Sequence, residues 1–383
     1  MDFAFTAEQE QFRKEVRGFL EAELRSGAFV PQTDGWIGGF SPEFSRKLAQ
    51  RKWIGLSWPK EYGGGGRGHL DRLILTEELL RCGAPCGAHW FADRQVGPCI
   101  LAYGSEEQKR DYLPRIMRAE MFFGLGLSEP ESGSDLASVK TSAVDSGDHF
   151  TVNGQKVWTS LAHYATHIYL VVRTDPTVPK HKGISELVVD MKLPGITVRP
   201  LIDMTGAQHF NEVFFDNVKV SKSCLIGKLN NGWNQITAQL DFERSGAERA
   251  MGNYPLFQAL IEHVKKTGAS QVTRHKLAGL ATEFEVGRLL VYRVATMIES
   301  GKLPRYETAM AKNFCTEYEQ RLARAAMEIA GLQAQLGSDS RASVLARHAN
   351  ESYLYAQGYT LMGGTAEILR NIIATRGLQL PAK

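Results

Sequence analysis

The spacing of apolar positions changes character twice along the chain. Thr6 and Gln9 form a Thr-x-x-Gln capping box, and Phe12, Val16, Phe19 and Leu20 then recur at three- and four-residue intervals, so a helix begins here. Similar helical patterns run through 44–52, 70–80 and 106–118, separated by Gly/Pro connections. Residues 1–121 are therefore expected to form an α-helical domain. Within it, Gly63 to Gly66 reads as a flexible link between helices. It is not a phosphate loop, because Arg67-Gly68-His69 follows where Gly-Lys-Ser/Thr is required.

From Phe122 the pattern becomes strand-like. The segments 150–158, 167–172, 186–190 and 212–215 are short, rich in β-branched or aromatic residues, and punctuated by Gly, Pro, Asn and Asp. They predict a compact antiparallel β domain over 122–229, in which Asn153-Gly154 makes a β-turn before a strand ending in Trp158, Thr159 and Ser160. Beyond Asn231 helical periodicity returns as far as about Leu378, with one weak interval at 265–271. Four long helices fit that length, so 230–383 is expected to be a helical bundle. The fold class is α+β, without internal repeats or low-complexity segments.

Composition narrows the function classes. At 383 residues the chain can bury two or three cores. Its 45 Lys and Arg against 42 Asp and Glu give a net +3, too balanced for a nucleic-acid-binding surface. Five irregularly spaced cysteines argue against a disulfide framework and for a reducing cytosol. Cys82, Cys86 and His89 could share one helical face, but no fourth ligand is apparent and no metal is expected. The first ten residues are acidic and unlike a signal peptide. No apolar run reaches the roughly twenty residues of a membrane span. A cytoplasmic protein is the expectation.

Two segments carry the candidate chemistry. Gly126-Leu-Ser-Glu-Pro-Glu-Ser-Gly-Ser-Asp135 closes an apolar stretch with glycines and small hydroxyl residues. That composition suits a place where main-chain N–H groups and serine oxygens must approach a phosphate or the edge of a flavin. Asn153-Gly-Gln-Lys-Val-Trp-Thr-Ser160 ends in an indole that can cover a flat ring and hydroxyls that can bond its polar rim. Gly124-Leu-Gly126 is not a dinucleotide fingerprint, since Glu129 stands at the third glycine's place and no parallel βαβ unit follows.

In order and spacing, the pair resembles the flavin-binding middle of the acyl-CoA dehydrogenase family. The resemblance extends to Trp58-Pro-Lys-Glu-Tyr-Gly-Gly64, His181-Lys-Gly-Ile-Ser185, Phe210-Asn-Glu-Val-Phe-Phe-Asp216 and Gly363-Gly-Thr-Ala-Glu-Ile-Leu-Arg-Asn371, and so covers essentially the whole chain. It implies a helical domain, a β domain and a four-helix bundle in that order. It also implies FAD as cofactor, an acyl-CoA substrate and an electron-transferring flavoprotein as acceptor. The assembly it implies is a homodimer, a homotetramer or a heterotetramer with a related chain. The flavin-contacting positions would be Leu125, Leu127, Ser128, Gly133, Ser134, Trp158, Thr159 and Ser160, with Thr365 and Glu367 often reaching a neighbouring subunit's cofactor. Ser134, Asp241 and Arg244 match substrate-contacting positions.

Dehydrogenation between the α and β carbons of a thioester needs a base for the α-proton. In many relatives a glutamate directly precedes the Gly-Thr of the last motif, but here that position is Gly363, which cannot take a proton. The family's second solution lies on the first helix of the carboxy-terminal domain, where Glu243 matches the base of isovaleryl-type, long-chain and sterol-side-chain members. Trp233, Ile236, Leu240, Glu243, Arg244 and Ala247 share helical spacing, which puts Glu243 at the edge of the face expected to be buried. Burial raises a carboxyl pKa and Arg244 lowers it. The alternative for Glu243 is a surface ion pair with Arg244. Gly363 retains the backbone N–H that relatives use, with a flavin ribityl hydroxyl, to polarise the thioester carbonyl. For Thr365 and Glu367 the alternative is helix capping alone.

Two departures concern the adenine end of the flavin site. The usual Arg-x-x-Phe-Gly is Val264-Lys-Lys-Thr-Gly268 here, and the glycine-rich loop after the third bundle helix is reduced to Ala330-Gly-Leu-Gln333. Such losses also occur in bacterial members acting on bulky acyl chains, some built from two unlike subunits. The competing readings are a non-catalytic partner subunit in a mixed oligomer, and a flavin oxidase or monooxygenase on the same scaffold.

Overall fold

The computed structural model describes residues 4–243, 246–336 and 344–381, with no side chains described for 238–243, 249 and 344. Helices α1 (Ala7–Arg25), α2 (Pro42–Gln50), α3 (His69–Arg81), α4 (Gly87–Phe91), α5 (Gly97–Tyr103) and α6 (Glu106–Met117) precede the first strand. Strands β1 (Phe123–Gly126), β2 (Ser142–Asp145), β3 (His149–Lys156), β4 (His167–Arg173), β5 (Ile184–Asp190), β6 (Ile196–Leu201), β7 (Phe210–Ser221) and β8 (Leu225–Ile226) follow. Seven helices are described after them: α7 (Gly232–Glu243), α8 (Glu248–Met251), α9 (Tyr254–Thr267), α10 (Gln271–Glu299), α11 (Glu307–Ala330), α12 (Val344–Tyr359) and α13 (Ala366–Ile372).

The contacts divide into two compact units. One comprises Met1–Phe40, Arg67–Cys86 and Glu243–Lys383; the other comprises Ser41–Gly66 and Gly87–Phe242.

The second unit is built on a sheet ordered β6-β7-β3-β2-β4-β5-β8, with β1 added beside β4. Most pairs are antiparallel as the strand pattern predicts, but β1 and β2 each pair with β4 in parallel, which corrects the purely antiparallel expectation. That placement surrounds β4, and Ile168 to Val172 are buried on both faces. One side of the sheet holds Phe150, Val152, Ile168, Leu170, Val172, Leu187, Val189, Val213, Phe215, Val218 and Val220 in a single core. On the other side Val171 and Ile184 meet Ile236 of α7, with Leu136, Val139, Leu127 and Trp233 around them.

Two strand expectations change for one reason. Asn153-Gly154 lies within the continuous strand β3, opposite a bulge in β7, and is not a turn, since pairing runs Val152↔Val218 and then Gly154↔Phe215. Two residues of β7, Asp216 and Asn217, therefore face one of β3. The phase of β7 slips there, which is why its alternation reads as ending at Phe215 although the strand continues to Ser221. Gly154 has φ +147°, and an added Cβ would lie 2.6 Å from Thr141 Oγ1.

The first turn of α7 is locked to this sheet. Gln235 Nε2 donates to Glu186 Oε2 at 2.6 Å and to the Ile226 carbonyl at 3.1 Å, and Tyr169 donates its hydroxyl to the same Glu186 oxygen at 2.9 Å. Burial pushes Glu186 up to about 7, against the lowering effect of the bonds from Gln235 and Tyr169.

In the other unit α1 opens on the expected Thr6–Gln9 capping box. Its buried Arg13 donates to Glu77 (2.7 Å) and Glu78 (2.8 Å) of α3, and Tyr292 of α10 also donates to Glu77 at 2.7 Å. Such a network satisfies every charge it buries, as burial of charge requires. The weak interval at 265–271 is the joint between α9 and α10, where Gly268 has φ +80° and Ser270 caps the Thr273 N–H at 3.1 Å. Phe257 of α9 and Phe284 of α10 stack at 6.0 Å, and Tyr318 of α11 packs 6.3 Å from Phe284.

Two further expectations are corrected. Gly63 to Gly66 is not slack: Gly65 N donates to the Gly55 carbonyl at 3.0 Å and Gly66 N to the Trp58 carbonyl at 2.9 Å. An added Cβ at Gly64 would lie 2.3 Å from the Trp58 carbonyl oxygen. Cys82, Cys86 and His89 do not share a helical face, because α3 ends at Arg81 and α4 begins at Gly87. His89 Nδ1 is instead 2.8 Å from Ser45 Oγ, and burial pushes the ring down to about 4.

Candidate active site

The two motif segments lie side by side in the sheet-bearing unit. After β1 the chain leaves β4, and the Ser128 carbonyl accepts from Val157 N at 2.9 Å. Beneath this contact sits Lys156, fully buried, whose ammonium donates to the Leu127 carbonyl at 3.0 Å and to Glu129 Oε1 at 2.8 Å. Glu129 also accepts the Lys140 N–H (2.6 Å) and the Thr141 N–H (2.9 Å). Burial pushes the Glu129 carboxyl up, but Lys156 and these donors outweigh it and hold it below its ordinary value. Burial lowers Lys156 to about 8 against the pull of Glu129, so the pair is ionised at neutral pH.

The geometry has a directional consequence. A trans peptide points its C=O and N–H to opposite sides. With the Leu127 carbonyl turned to Lys156, the Ser128 N–H is turned the other way. Leu125, Leu127 and Ser128 are partly exposed, and Ser132 Oγ ties the following turn by donating to the Asp135 carbonyl at 2.7 Å. Gly133 and Ser134 lie exposed on that turn, and an added Cβ at Gly133 would meet nothing within 4 Å.

Beyond β3 the chain makes a constrained step. Trp158 takes φ +58°, a left-handed conformation costly for an indole-bearing residue, and its side chain is 60 % exposed, edge-on to Phe210 at 5.8 Å. Thr159 is fixed through its backbone: its N–H donates to the Asn211 carbonyl at 3.0 Å, and Asn211 Nδ2 donates back to the Thr159 carbonyl at 3.0 Å. The Thr159 hydroxyl is buried and makes no hydrogen bond. An unmet buried hydroxyl costs about 1–3 kcal/mol, so it marks a place where a bound group would complete the site. Ser160 is half-buried beside it.

In the helical unit Gly363 and Gly364 have φ +63° and +96°, values for which glycine is the economical choice. Thr365 caps α13 by accepting the Ile368 N–H at 3.2 Å, and Glu367 lies exposed in its first turn, its carboxyl lowered by a backbone N–H and Thr365. Capping is therefore realised for both residues. Glu243 closes α7, with Asp241 just before it; their side chains, and Arg244 entirely, lie outside what is described. Gln235, eight positions before Glu243, is the sheet-locked residue, about 12 Å away at helical rise.

Lys156, Glu129 and Asn211 escaped the sequence reading as site-shaping residues. All three lie inside the quoted motifs, but a charged or amide side chain in a strand or loop pattern reads as solvated. Only the chain reversal that buries them reveals the pairing.

The comparisons with known proteins agree across the whole chain. Family models match for the acyl-CoA dehydrogenase N-terminal domain over residues 6–120, the middle domain over 124–218 and the C-terminal domain over 230–378. Among curated proteins, the Mycobacterium tuberculosis acyl-CoA dehydrogenase FadE29 is 35% identical, with 98% of each chain covered. Among solved structures, the steroid acyl-CoA dehydrogenase Tcur3481–Tcur3483 superposes with TM-score 0.91 at 31% identity, both chains covered in full. The ChsE4–ChsE5 complex from Mycobacterium tuberculosis gives 0.89 at 33%, again over 100% of each chain. With three family domains in order and a third of its residues shared over full length with such relatives, the chain belongs to the acyl-CoA dehydrogenase family, whose members are flavin-dependent oxidoreductases acting on CH–CH bonds.

Proposed function

We propose that the protein is an FAD-dependent dehydrogenase that converts an acyl-CoA thioester to its trans-2-enoyl thioester and passes the electrons to an electron-transferring flavoprotein. The observation that carries this reading is the Thr159 hydroxyl, buried without a partner between the exposed Trp158 indole and half-buried Ser160. These residues fit a flavin: an indole to cover the ring, a hydroxyl for its polar rim, and the outward-turned Ser128 N–H as a further donor. Leu125, Leu127, Gly133, Ser134, Thr365 and Glu367 are the remaining contacts proposed. Bound FAD supplies the acceptor for the β-hydride. Glu243 takes the α-proton, and the Gly363 N–H donates to the thioester oxygen as enolate-like charge develops there. Ser134, Asp241 and Arg244 are proposed to contact the thioester.

Because two structural relatives are complexes of differently named chains, one of them described as a steroid enzyme, a bulky ring-bearing acyl group and an unlike partner chain are the first candidates. A non-catalytic subunit is the less favoured reading, since Glu243 is retained.

Anaerobic titration of the purified flavoprotein with straight-chain, branched and steroid-side-chain acyl-CoA thioesters tests the activity. At least one should bleach the flavin absorbance, and the reduced flavin should reoxidise slowly in air. Bleaching by none would remove the dehydrogenase reading, and rapid reoxidation by oxygen would replace it with an oxidase.

The Val264 to Gly268 element without its Phe and the reduced Ala330 to Gln333 loop, with Thr365 and Glu367 assigned to a neighbour's cofactor, make flavin affinity dependent on assembly. Light scattering on dilution, with flavin fluorescence read in parallel, should show FAD released as a dimer or tetramer dissociates. A monomer that stays fully flavinylated contradicts the shared site.

A further inference from the structure

The joint between α7 and the sheet buries more hydrogen-bond acceptors than it has hydrogens to fill. Glu186 of β5 and Gln235 of α7 have no exposed surface, and Gln235 Nε2 donates to Glu186 Oε2 at 2.6 Å. The amide's second hydrogen goes to the Ile226 carbonyl at 3.1 Å, so both are used. The Tyr169 hydroxyl gives its single hydrogen to the same Glu186 oxygen at 2.9 Å. Two buried oxygens are left over, Glu186 Oε1 and Gln235 Oε1, and neither has a donor among the described residues. Gly227, at φ +73°, offers the amide oxygen no side chain, and an added Cβ there would lie 2.1 Å from it.

The surroundings also disfavour a charge on Glu186. The groups facing it are Tyr169 on β4, Cys99 and Tyr103 on α5, Gln235 on α7 and Ile226, its pairing partner on β8. No cation is among them. The Cys99 thiol lies against the Tyr169 hydroxyl, and burial keeps both protonated. A carboxyl buried without a counter-charge takes up a proton instead. Burial accordingly moves Glu186 up to about 7, against the pull of Gln235 and Tyr169.

An acid and a carboxamide joined at one corner close into a ring when the acid's proton sits on its other oxygen and is given to the amide carbonyl. A single hydrogen then serves both leftover oxygens. We propose that Glu186 and Gln235 form a proton-operated clamp on α7, closed by a hydrogen bond from protonated Glu186 Oε1 to Gln235 Oε1 and opened when that proton leaves. The closed ring holds the first turn of the helix to β5 through two bonds. The direction of the pH effect is fixed by linkage. Glu186 titrates at 4.5 where water reaches it and near 7 in the closed clamp, so the clamp is at full strength below 4.5 and is lost as pH rises through 7. Across that window the open form gains about tenfold in population per pH unit, and above it the gain stops. Glu243, the proposed base, closes the same helix, but the clamp does not depend on that reading.

The test compares the purified protein with Glu186→Gln, whose amide N–H stands where the O–H of the acid would. Infrared difference spectra between the two, taken at about pH 5.5 and about pH 8.5, isolate one carboxyl on either side of the window. At the lower pH the wild type should show the stretch of a protonated carboxylic acid that the variant lacks, and at the higher pH that of a carboxylate. Hydrogen exchange of α7, corrected for the intrinsic rate at each pH, should show protection falling roughly tenfold or more between these conditions in the wild type and staying within about twofold in Glu186→Gln. Gln235→Met, which removes the ring partner, should exchange fast at both. A carboxylate signature for Glu186 at the lower pH would overturn the proposal, as would equal protection of α7 at both pH values in the wild type. Failure of Glu186→Gln to fold would overturn it as well, because the amide reproduces the ring of the neutral acid.

Discussion

Glu243→Gln is expected to bind FAD and acyl-CoA as the wild type does and to reduce its flavin more slowly by a factor of roughly a hundred or more, the usual contribution of a general base. The amide keeps the size and hydrogen-bonding capacity of the side chain and loses only the ability to accept the α-proton. Stopped-flow mixing with a saturating thioester, monitored at the flavin band, separates that step from binding. Wild-type reduction in the Gln variant would show that the base is elsewhere, with Asp241 next in line. Placing a glutamate at Gly363 in the Glu243→Gln background then asks whether the family's other base position can substitute. Recovery is not expected to be complete, because Gly363 sits at φ +63°, where a side chain adds strain.

The second large effect concerns stability and cofactor together. Glu129→Gln leaves the fully buried Lys156 ammonium with the Leu127 carbonyl and a neutral amide in place of its counter-charge. Breaking a buried ion pair from one side costs about 3–5 kcal/mol, so denaturation midpoints should fall by a corresponding amount at pH 7. FAD content should fall with it, since the pair holds the Leu127 to Ser128 peptide against the Trp158 segment. The pH dependence has a definite sign. Glu129 is held below its unfolded value of 4.5, so its contribution is present above that pH and lost as pH falls through the lower folded value. Lys156 titrates at about 8 in the fold against 10.5 unfolded, so the unfolded chain binds more protons between those values and stability from this group rises with pH there. The deficit of Glu129→Gln should thus shrink in mild alkali, as the lysine becomes neutral. The double variant Glu129→Gln/Lys156→Met should recover much of the loss. A single variant as stable as the wild type at pH 7 would mean that the pair is not ionised in the fold.

Much of this architecture is legible without coordinates, for identifiable reasons. The Thr6–Gln9 box, the helix over His69–Arg81 and the joint at Gly268 depend on local chemistry that the residues themselves carry. The parallel position of β1 is not local, because it depends on which strand a four-residue apolar segment reaches after folding. Asn153-Gly154 has the composition of a turn, and its true place in a continuous strand opposite a bulge depends on β7 supplying an extra residue more than sixty positions away. For the proposed flavin site, Trp158 and Thr159 are suggested by their motif, but neither the left-handed backbone of one nor the unmet hydroxyl of the other is. Lys156 is the clearest omission for the site, and Lys312 of α11, buried with its ammonium donating to the Met362 and Gly364 carbonyls, is the clearest for the helical unit. A lysine in a sequence suggests solvent, and only a ring of backbone carbonyls or a hidden glutamate makes its burial tolerable.

The bulge in β7 bears on how such a chain can change over generations. Removing one residue from the middle of a strand ordinarily turns every later side chain from the core to the solvent. Here Asp216 and Asn217 together face a single residue of β3, and Val213 and Phe215 on one side of them, Val218 and Val220 on the other, already point to the same core. Loss of one of the two would restore the regular two-residue repeat and leave all four apolar side chains facing inward. The strand's length can therefore drift by one residue at this point without any buried side chain changing sides.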